Sequence, residues 1–308
     1  MENKSIAVYV ATHKKISAKL PYPYIPVQVN CVNTGEHWEG YEHDDHGDNI
    51  SMKNPSYCEL TVLYWAWKNS KAKIKGLSHY RRFMSKRSDV SFIAKEYCDL
   101  ENLDDYILSQ QEINRYLNQE GYDILLIMPH RPYPLTGRET IENFVFPKDV
   151  NCMERIIHEN YLTYVDSLNI TMRSNHLSQF NMMITHSKHF DAYCEWVFDI
   201  LQKVEELTDI SKYDNQHKRL YGYLAEILQN VYVEKNNLKC KYFVLTQPYQ
   251  ILGIKEETFY KTQKKEELFK FLKKIHIPYI ESIYYKLFHP KIYQKKIECE
   301  QYIMYKNS

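Results

Sequence analysis

The stretch 54–84, NPSYCELTVLYWAWKNSKAKIKGLSHYRRFM, decides the fold class, because it is typical of a buried helix followed by a buried strand. Its first two residues, asparagine and proline, favour a helix start, where Asn caps free N–H groups and Pro fits the first position. We predict a helix to about Asn69, apolar on most sides and therefore buried. Glu59 in this helix is either a structural acid paired with an arginine or a ligand contact. A strand at 74–78 follows, and the polar run His79–Arg82 comes at its end.

Similar patterns on either side indicate that strands and helices alternate along the chain. Short β-branched and apolar runs predict further strands at 5–12, 25–32, 122–128 and 178–185. Amphipathic runs predict further helices at 100–119, at 151–165, after Ser187 and around 220–231. This order predicts an α/β sandwich with a mostly parallel central sheet. We assign residues 1–254 to this domain and residues 255–308 to a helical C-terminal extension.

Composition narrows the class of function. The formal net charge of +1 argues against a general nucleic-acid binder, so no nucleic-acid partner is expected. The seven cysteines include no C-x-x-C pair, which favours a reduced, cytoplasmic protein over a disulfide framework or a zinc module. No apolar run approaches the roughly 20 residues that cross a bilayer. We therefore predict a cytoplasmic protein that is either soluble or peripheral at the inner face of the cell membrane.

Three polar clusters follow predicted strands, and ligands of open α/β sheets bind beyond the carboxyl ends of the strands. The clusters are Thr12–Lys14, the loop His43–Ser51 and His79–Arg82. Guanidinium groups carry a permanent charge and donate paired hydrogen bonds to phosphates, so we predict a diphosphate site here. Because side chains alternate along a strand, we expect only one of Arg81 and Arg82, or the backbone after the strand, to face the ligand.

The loop His43–Asp48, HDDHGD, has two interpretations. Its His and Asp residues are metal-ligand types, but their spacing matches no specific metal motif. In the favoured interpretation, polar side chains of the loop bind a ribose or a base and Lys53 lies near phosphates at a helix N-terminus. We expect no cofactor, and a divalent metal is the less favoured alternative. The predicted donor-binding residues are Thr12, His13, Lys14, Asp45, Asp48, Asn49, Ser51, Lys53, His79, Tyr80, Arg81 and Arg82.

Candidates for proton transfer lie in the second half of the chain. Asp214 precedes a predicted helix, on which Arg219, Gly222 and Glu226 share one face at offsets of three and four. We predict that Asp214 or Glu226 is the catalytic acid or base, and that Asn181 and Arg219 lie on the acceptor side. An ordinary amphipathic helix with polar faces explains the same spacing without a function.

The most specific pointers to function are five segments: DDHGDNISMKNPSYCELTVLYWAWKN (44–69), GLSHYRRFM (76–84), YDILLIMP (122–129), FNMMITHSKHFDAYCEWVFDIL (180–201) and RLYGYLAEIL (219–228). Together they resemble a family of bacterial capsule and O-antigen glycosyltransferases, long catalogued as a domain of unknown function, that includes galactofuranosyltransferases. The resemblance covers about residues 5–235. Its first two segments are the more specific, because the last pattern recurs in other sugar transferases.

The resemblance implies a GT-A-like nucleotide-sugar fold. It also implies inverting transfer of a hexose, galactofuranose from its UDP donor, to a growing lipid-linked glycan. In many enzymes of this fold a strand ends in Asp-x-Asp, which holds a divalent metal on the diphosphate. Here the corresponding strand ends in His79–Arg82, so we predict that arginine charge replaces the metal.

Alternatives remain open for the donor, the reaction and the C-terminal extension. The chain could be a same-fold transferase with a UDP-pyranose donor, a metal-dependent hydrolase built on His43–Asp48, or a non-catalytic carbohydrate-binding or scaffold protein. Residues 255–308 carry 12 Lys and 7 acidic residues. This basic extension either contacts an anionic membrane surface or forms a helical cap or an oligomer interface.

Overall fold

The computed structural model describes residues 5–88, 95–129 and 135–257. Its strands are β1 (Ile6–Thr12), β2 (Tyr24–Gln28), β3 (Glu42–His43), β4 (Ile74–His79), β5 (Phe83–Met84), β6 (Lys95–Cys98), β7 (Ile124–Ile127), β8 (Met183–His186), β9 (Cys240–Phe243) and β10 (Leu245–Pro248). Its α-helices are α1 (Cys31–Thr34), α2 (Asn54–Tyr57), α3 (Leu60–Asn69), α4 (Leu103–Tyr106), α5 (Gln110–Asn114), α6 (Gly137–Glu142), α7 (Pro147–Asn160), α8 (Val165–Arg173), α9 (Ser187–Leu207) and α10 (Leu220–Lys235). The predicted extension 255–308 lies outside the described residues from 258 onward.

The central sheet has seven strands in the order β3-β2-β1-β4-β8-β7-β9. Neighbouring strands are parallel except at β8, which runs antiparallel to both β4 and β7. The sheet is buried on both sides, which explains why β1 reads as a continuous apolar run. The prediction of an α/β fold with a mostly parallel central sheet is confirmed.

Two hydrophobic cores cover the two faces of the sheet. Tyr9 of β1 belongs to the core that holds Trp65 and the long helices α9 and α10. Val8 and Val10 point the other way and pack with Phe83 of a small second sheet, ordered β5-β10-β6. The alternation expected along a strand therefore divides β1 between the two cores. Within the described ranges, no helix combines the length and the apolar character needed to cross a membrane.

Left-handed backbone interrupts three of the predicted elements. The helix predicted from 54 to 69 is two helices, because Cys58 has φ 52° and breaks the chain between α2 and α3. The strand predicted at 25–32 ends at Gln28, since Asn30 has φ 68° and α1 follows. The strand predicted at 178–185 is the shorter β8, preceded by positive φ values at 180 and 181. All three interruptions lie close to the sheet edge where ligand binding was predicted.

Candidate functional site

A cleft of about 410 Å³ opens at the carboxyl ends of β1 and β4. Ala11 pairs with His79 across these two strands, so the residues that follow both strands are neighbours. The remaining lining residues are Thr12, His13, Val29, Asn54, Pro55, Cys58, Glu59, Tyr80, Arg81, Arg82, Asn215 and Arg219. We call this the rim cleft. It brings together the first and third polar clusters predicted from the sequence.

A tight turn follows β4, and it determines the direction in which Arg81 and Arg82 point. The N–H of Arg82 donates to the carbonyl oxygen of His79 at 3.0 Å, and the N–H of His79 donates back at 3.3 Å. Ser78 Oγ donates to the Arg82 carbonyl at 2.7 Å, and Gln247 Nε2 donates to that of Arg81 at 3.2 Å. Arg81 and Arg82 both line the rim cleft, because a turn does not alternate side chains as a strand does. The expectation that only one of them, or the backbone after the strand, faces the ligand stays a prediction.

Aromatic rings, rather than acids, support the two guanidinium groups. The Arg82 guanidinium lies 4.4 Å from the ring centre of Phe180, and that of Arg81 lies 5.7 Å from the ring of Tyr80. The His13 ring packs edge-on against Tyr80 at 5.0 Å. No carboxylate in the described part of the chain lies within 4.0 Å of either guanidinium. Two positive charges are therefore free to bind an anion, since cation–π contacts leave the N–H donors unused.

A pair of interacting carboxyl groups, Glu59 and Glu226, lies near these arginines; Glu59 lines the rim cleft and Glu226 does not. Asn181 Nδ2 donates to Glu59 Oε1 at 2.7 Å and to the carbonyl oxygen of Gly222 at 2.9 Å. His79 Nε2 lies 4.0 Å from the same Glu59 oxygen and donates to the carbonyl of Phe180 at 2.7 Å. Glu59 is thus hydrogen-bonded by an amide and not paired with Arg81 or Arg82. Its carboxylate is held between the break at Cys58 and the turn before β8.

Glu226 is the second carboxyl group of the pair. Burial and, to a smaller extent, the negative charge of Glu59 raise its pKa to about 7. A hydrogen bond from the backbone N–H of Phe180 and the charges of Arg82 and Arg219 lower its pKa and limit the rise. A carboxyl group with a pKa near 7 can accept a proton at neutral pH and release it again.

Arg219 joins the carboxylate pair to the rim cleft. It lines the cleft, and its Nε donates to Cys58 Sγ at 3.2 Å. Its guanidinium also lies 5.2 Å from the ring centre of Tyr223. Burial lowers the pKa of His79, so this ring is neutral at pH 7 and adds no charge to the site. The local positive charge therefore comes from the arginines.

Lys14 and Asp214, like Asn181 and Glu226, lie next to the rim cleft but outside its lining. The backbone N–H of Lys14 donates to Thr12 Oγ1 at 3.1 Å, whereas the Lys14 side chain does not line the cleft. The Asp214 side chain is 62% exposed and closes a turn. Its Oδ1 accepts the N–H groups of Gln216 at 2.8 Å and His217 at 3.0 Å. Asp214 therefore shapes the segment that carries the lining residue Asn215.

The predicted donor-binding residues after β2 have other partners, and none of them lines the rim cleft. These residues are Asp45, Asp48, Asn49, Ser51 and Lys53. The fully buried Asp44 organises the loop, because its carboxylate accepts the N–H groups of Asn30 and Cys31 and the hydroxyl groups of Ser51 and Thr61. Lys53 instead pairs with Glu205 at 2.6 Å.

Sequence reasoning missed Cys58 and Phe180 as parts of the site. Both have positive φ, 52° and 72°, which non-glycine residues seldom adopt. The Phe180 ring packs against Arg82, its carbonyl oxygen accepts from His79, and its backbone lowers the pKa of Glu226. The signal available in the sequence was the Phe-Asn pair before a short strand, because Asn tolerates left-handed backbone.

Comparison with known proteins supports this picture. The solved apo structure of the WbbM bifunctional glycosyltransferase is similar at a TM-score of 0.71 and 29% sequence identity. The similarity covers 80% of this chain and 45% of that chain, so this chain spans less than half of the WbbM length. No curated protein matches. Residues 7–237 match the family described as Domain of unknown function (DUF4422), and because this is most of the sequence, the chain belongs to that family.

Proposed function

We propose that this protein is a glycosyltransferase that moves a hexose from a UDP-sugar to a growing bacterial surface glycan. The observation that carries the proposal is the rim cleft, which the unpaired guanidinium groups of Arg81 and Arg82 line together with Glu59. Glu226, whose pKa is raised to about 7, lies outside this lining and interacts electrostatically with Glu59 and Arg82. The similarity to the WbbM structure supports glycosyl transfer as the reaction class.

The donor diphosphate binds between the ends of β1 and β4 in this proposal. Arg81 and Arg82 supply permanent charge to the two phosphates, while Thr12, His13 and Tyr80 shape the same rim. The leaving UDP gains negative charge as the sugar departs, and fixed arginines stabilise that charge without reorganisation. A divalent metal on the diphosphate is then unnecessary.

Glu226 is the proposed base. The acceptor hydroxyl oxygen attacks the anomeric carbon, the bond from that carbon to the UDP oxygen breaks, and the hydroxyl proton passes to Glu226. A single direct displacement inverts the anomeric configuration. Glu59 keeps the pKa of Glu226 high, and Asn181 holds Glu59 in place, which makes Asn181 a positioning residue.

The acceptor is proposed to bind in a second cavity, of about 360 Å³. Phe144 lines this cavity and stacks on Tyr223 at 5.0 Å, which gives a broad aromatic surface of the kind sugars pack against. Gln179 also lines it and directly precedes Phe180, whose backbone lowers the pKa of the proposed base Glu226. Glu226 does not itself line this cavity, and we propose that the acceptor hydroxyl approaches it from the side of Gln179. Arg219, in contrast, lines the donor side.

The family resemblance supports a finer assignment. We propose galactofuranose as the transferred sugar, a lipid-linked glycan as the acceptor, and a cytoplasmic location at the inner face of the membrane. A UDP-pyranose donor is the alternative for the same site.

The test is a screen of UDP-sugars, UDP-galactofuranose included, for protection against thermal unfolding and for turnover, in chelator and in manganese. We expect one donor to raise the melting temperature and to be consumed at the same rate in both conditions. Asp214→Asn serves as the comparison with Glu226→Gln, and it should retain turnover. Activity that is lost in chelator and restored by manganese would contradict metal-free binding of the diphosphate. Absence of turnover with every donor would contradict the proposed function.

A further inference from the structure

A group of metal-ligand side chains lies outside the rim cleft, beyond the end of β2. Cys31, His37 and Asp45 each place one ligand atom within 4.8 Å of the other two. His37 Nε2 and Asp45 Oδ2 are 2.7 Å apart. Sulfur, imidazole nitrogen and carboxylate oxygen are the ligand types found in zinc sites.

The sheet holds two of these three residues in place. β3 pairs with β2, and the N–H of Asp44 donates to the carbonyl oxygen of Gln28 at 3.1 Å. The buried Asp44 carboxylate in turn accepts the N–H of Cys31 at 3.2 Å. Cys31 and Asp45 therefore face one another on fixed backbone. Only His37 reaches the group from an exposed segment.

The Asp45 carboxylate has an unexplained oxygen. Oδ1 of Asp45 is buried and has no hydrogen-bond partner among residues 5–88, 95–129 and 135–257. The contact with His37 uses Oδ2 only, so a simple ion pair between the two residues does not account for Oδ1. A buried acceptor without a donor is costly, and a cation at this position would satisfy it.

Two further imidazole rings, those of His43 and His46, lie next to the His37 ring of this group. The His37 ring lies 4.6 Å from that of His43 and 6.1 Å from that of His46, measured between ring centres. His43 Nε2 donates to the carbonyl oxygen of Trp38 at 3.1 Å. That bond leaves the lone pair of His43 Nδ1 available, which is the arrangement of metal-bound histidines.

We propose that Cys31, His37 and Asp45 form a binding site for a zinc-class transition metal, with an imidazole of the neighbouring histidines in the fourth position. The mixed sulfur, nitrogen and oxygen ligands favour zinc over magnesium or manganese, which prefer oxygen. On binding, the thiol proton of Cys31 passes to solvent, and His37 coordinates through a neutral ring nitrogen. The metal ties α1 to the loop after β3, and it is separate from the proposed diphosphate chemistry.

The test uses the full chain, treated with chelator and then titrated with Zn²⁺ by calorimetry and with Co²⁺ by absorption spectroscopy. We expect saturation at one metal per chain and a sulfur-to-cobalt charge-transfer band. Cys31→Ser should abolish that band. Cys31→Ser and Asp45→Asn should each weaken Zn²⁺ binding by more than about tenfold, because even indirect partners of a metal are worth about 10- to 100-fold in affinity.

Two matched variants control for surface thiols and imidazoles. Cys152→Ser, at a half-buried cysteine, and His158→Gln, at an exposed histidine, should leave the affinity and the cobalt spectrum unchanged. If Cys31→Ser does not fold, Asp45→Asn decides the question, because it keeps the shape of the side chain. The proposal would be overturned if the full chain bound no Zn²⁺ at the highest concentration tested. It would also be overturned if the control variants lost as much Zn²⁺ affinity as Cys31→Ser and Asp45→Asn.

Discussion

Glu226→Gln should make the protein more stable while it removes activity. The structure raises the pKa of this carboxyl group from 4.5 to about 7. Each pH unit of displacement corresponds to about 1.36 kcal/mol, so the ionised carboxylate destabilises the folded state by about 3 kcal/mol. Glutamine has a similar shape and cannot ionise, so it escapes this cost.

The sign of the effect follows from the proton balance. Between pH 4.5 and about 7 the folded state keeps a proton that the unfolded state has lost. The free energy of unfolding of the natural protein therefore falls as pH rises through this window and is flat above it, as far as Glu226 is concerned. The stability gain of Glu226→Gln should be near zero at pH 4.5, grow through the window and reach about 3 kcal/mol at pH 8.

The measurement is urea unfolding of both proteins at several pH values, together with turnover of the donor. We expect turnover to fall about 100-fold or more, since a general base contributes about 10²- to 10⁴-fold. Glu234→Gln, at an exposed position of the same helix, is the matched control and should change neither quantity. A stability difference that does not vary with pH would refute the raised pKa, and retained turnover would refute the role of Glu226 as base.

Three further substitutions test other parts of the structure. Arg82→Gln should lower kcat/KM for the donor by about 10- to 100-fold, because hydrogen bonds to charged groups are worth about 1.5–3 kcal/mol; an unchanged value would remove Arg82 from the diphosphate site. Asp44→Ala should lower the free energy of unfolding by about 1.5–3 kcal/mol or more, because the substitution leaves buried donors without an acceptor. Denaturant unfolding measures this change, and an unchanged value would show that the loop does not depend on Asp44. Gly76→Ala should lower the free energy of unfolding by about 1–3 kcal/mol, since the added Cβ would lie 2.8 Å from the backbone oxygen of Met183 in a closely packed sheet. An unchanged denaturant unfolding curve would show that β4 and β8 can separate at little cost.

The sequence predicts well those features that depend on regular periodicity. The amphipathic helix predicted around 220–231 is α10, and its apolar residues Leu220, Leu224, Ile227, Leu228 and Val231 are all buried. The meeting of Thr12 and His13 with His79–Arg82 also followed, because parallel strands end at one edge of a sheet.

The remaining features depend on backbone conformations that periodicity does not report. The turn at Tyr80–Arg81 directs both arginines into the rim cleft, whereas strand alternation had separated them. The left-handed Cys58 divides one predicted helix and places Glu59 at the break. In the loop after β2, the polar side chains contact one another through Asp44, and a pattern of ligand-type residues cannot distinguish such internal contacts from contacts with a ligand.

The antiparallel strand β8 has a consequence for how the chain folds during synthesis. Its His186 pairs with Ile74 of β4, and its Thr185 pairs with Ile124 of β7, so it joins two parts of the sheet that are far apart in sequence. Such distant pairing is slow, because a long loop must close before the contacts form. Phe180 and Asn181 arrive with this strand, and Glu226 follows later still. We therefore expect a nascent chain that still lacks β8 to expose an unpaired edge of β4, and to have neither the ring beneath Arg82 nor the carboxylate pair.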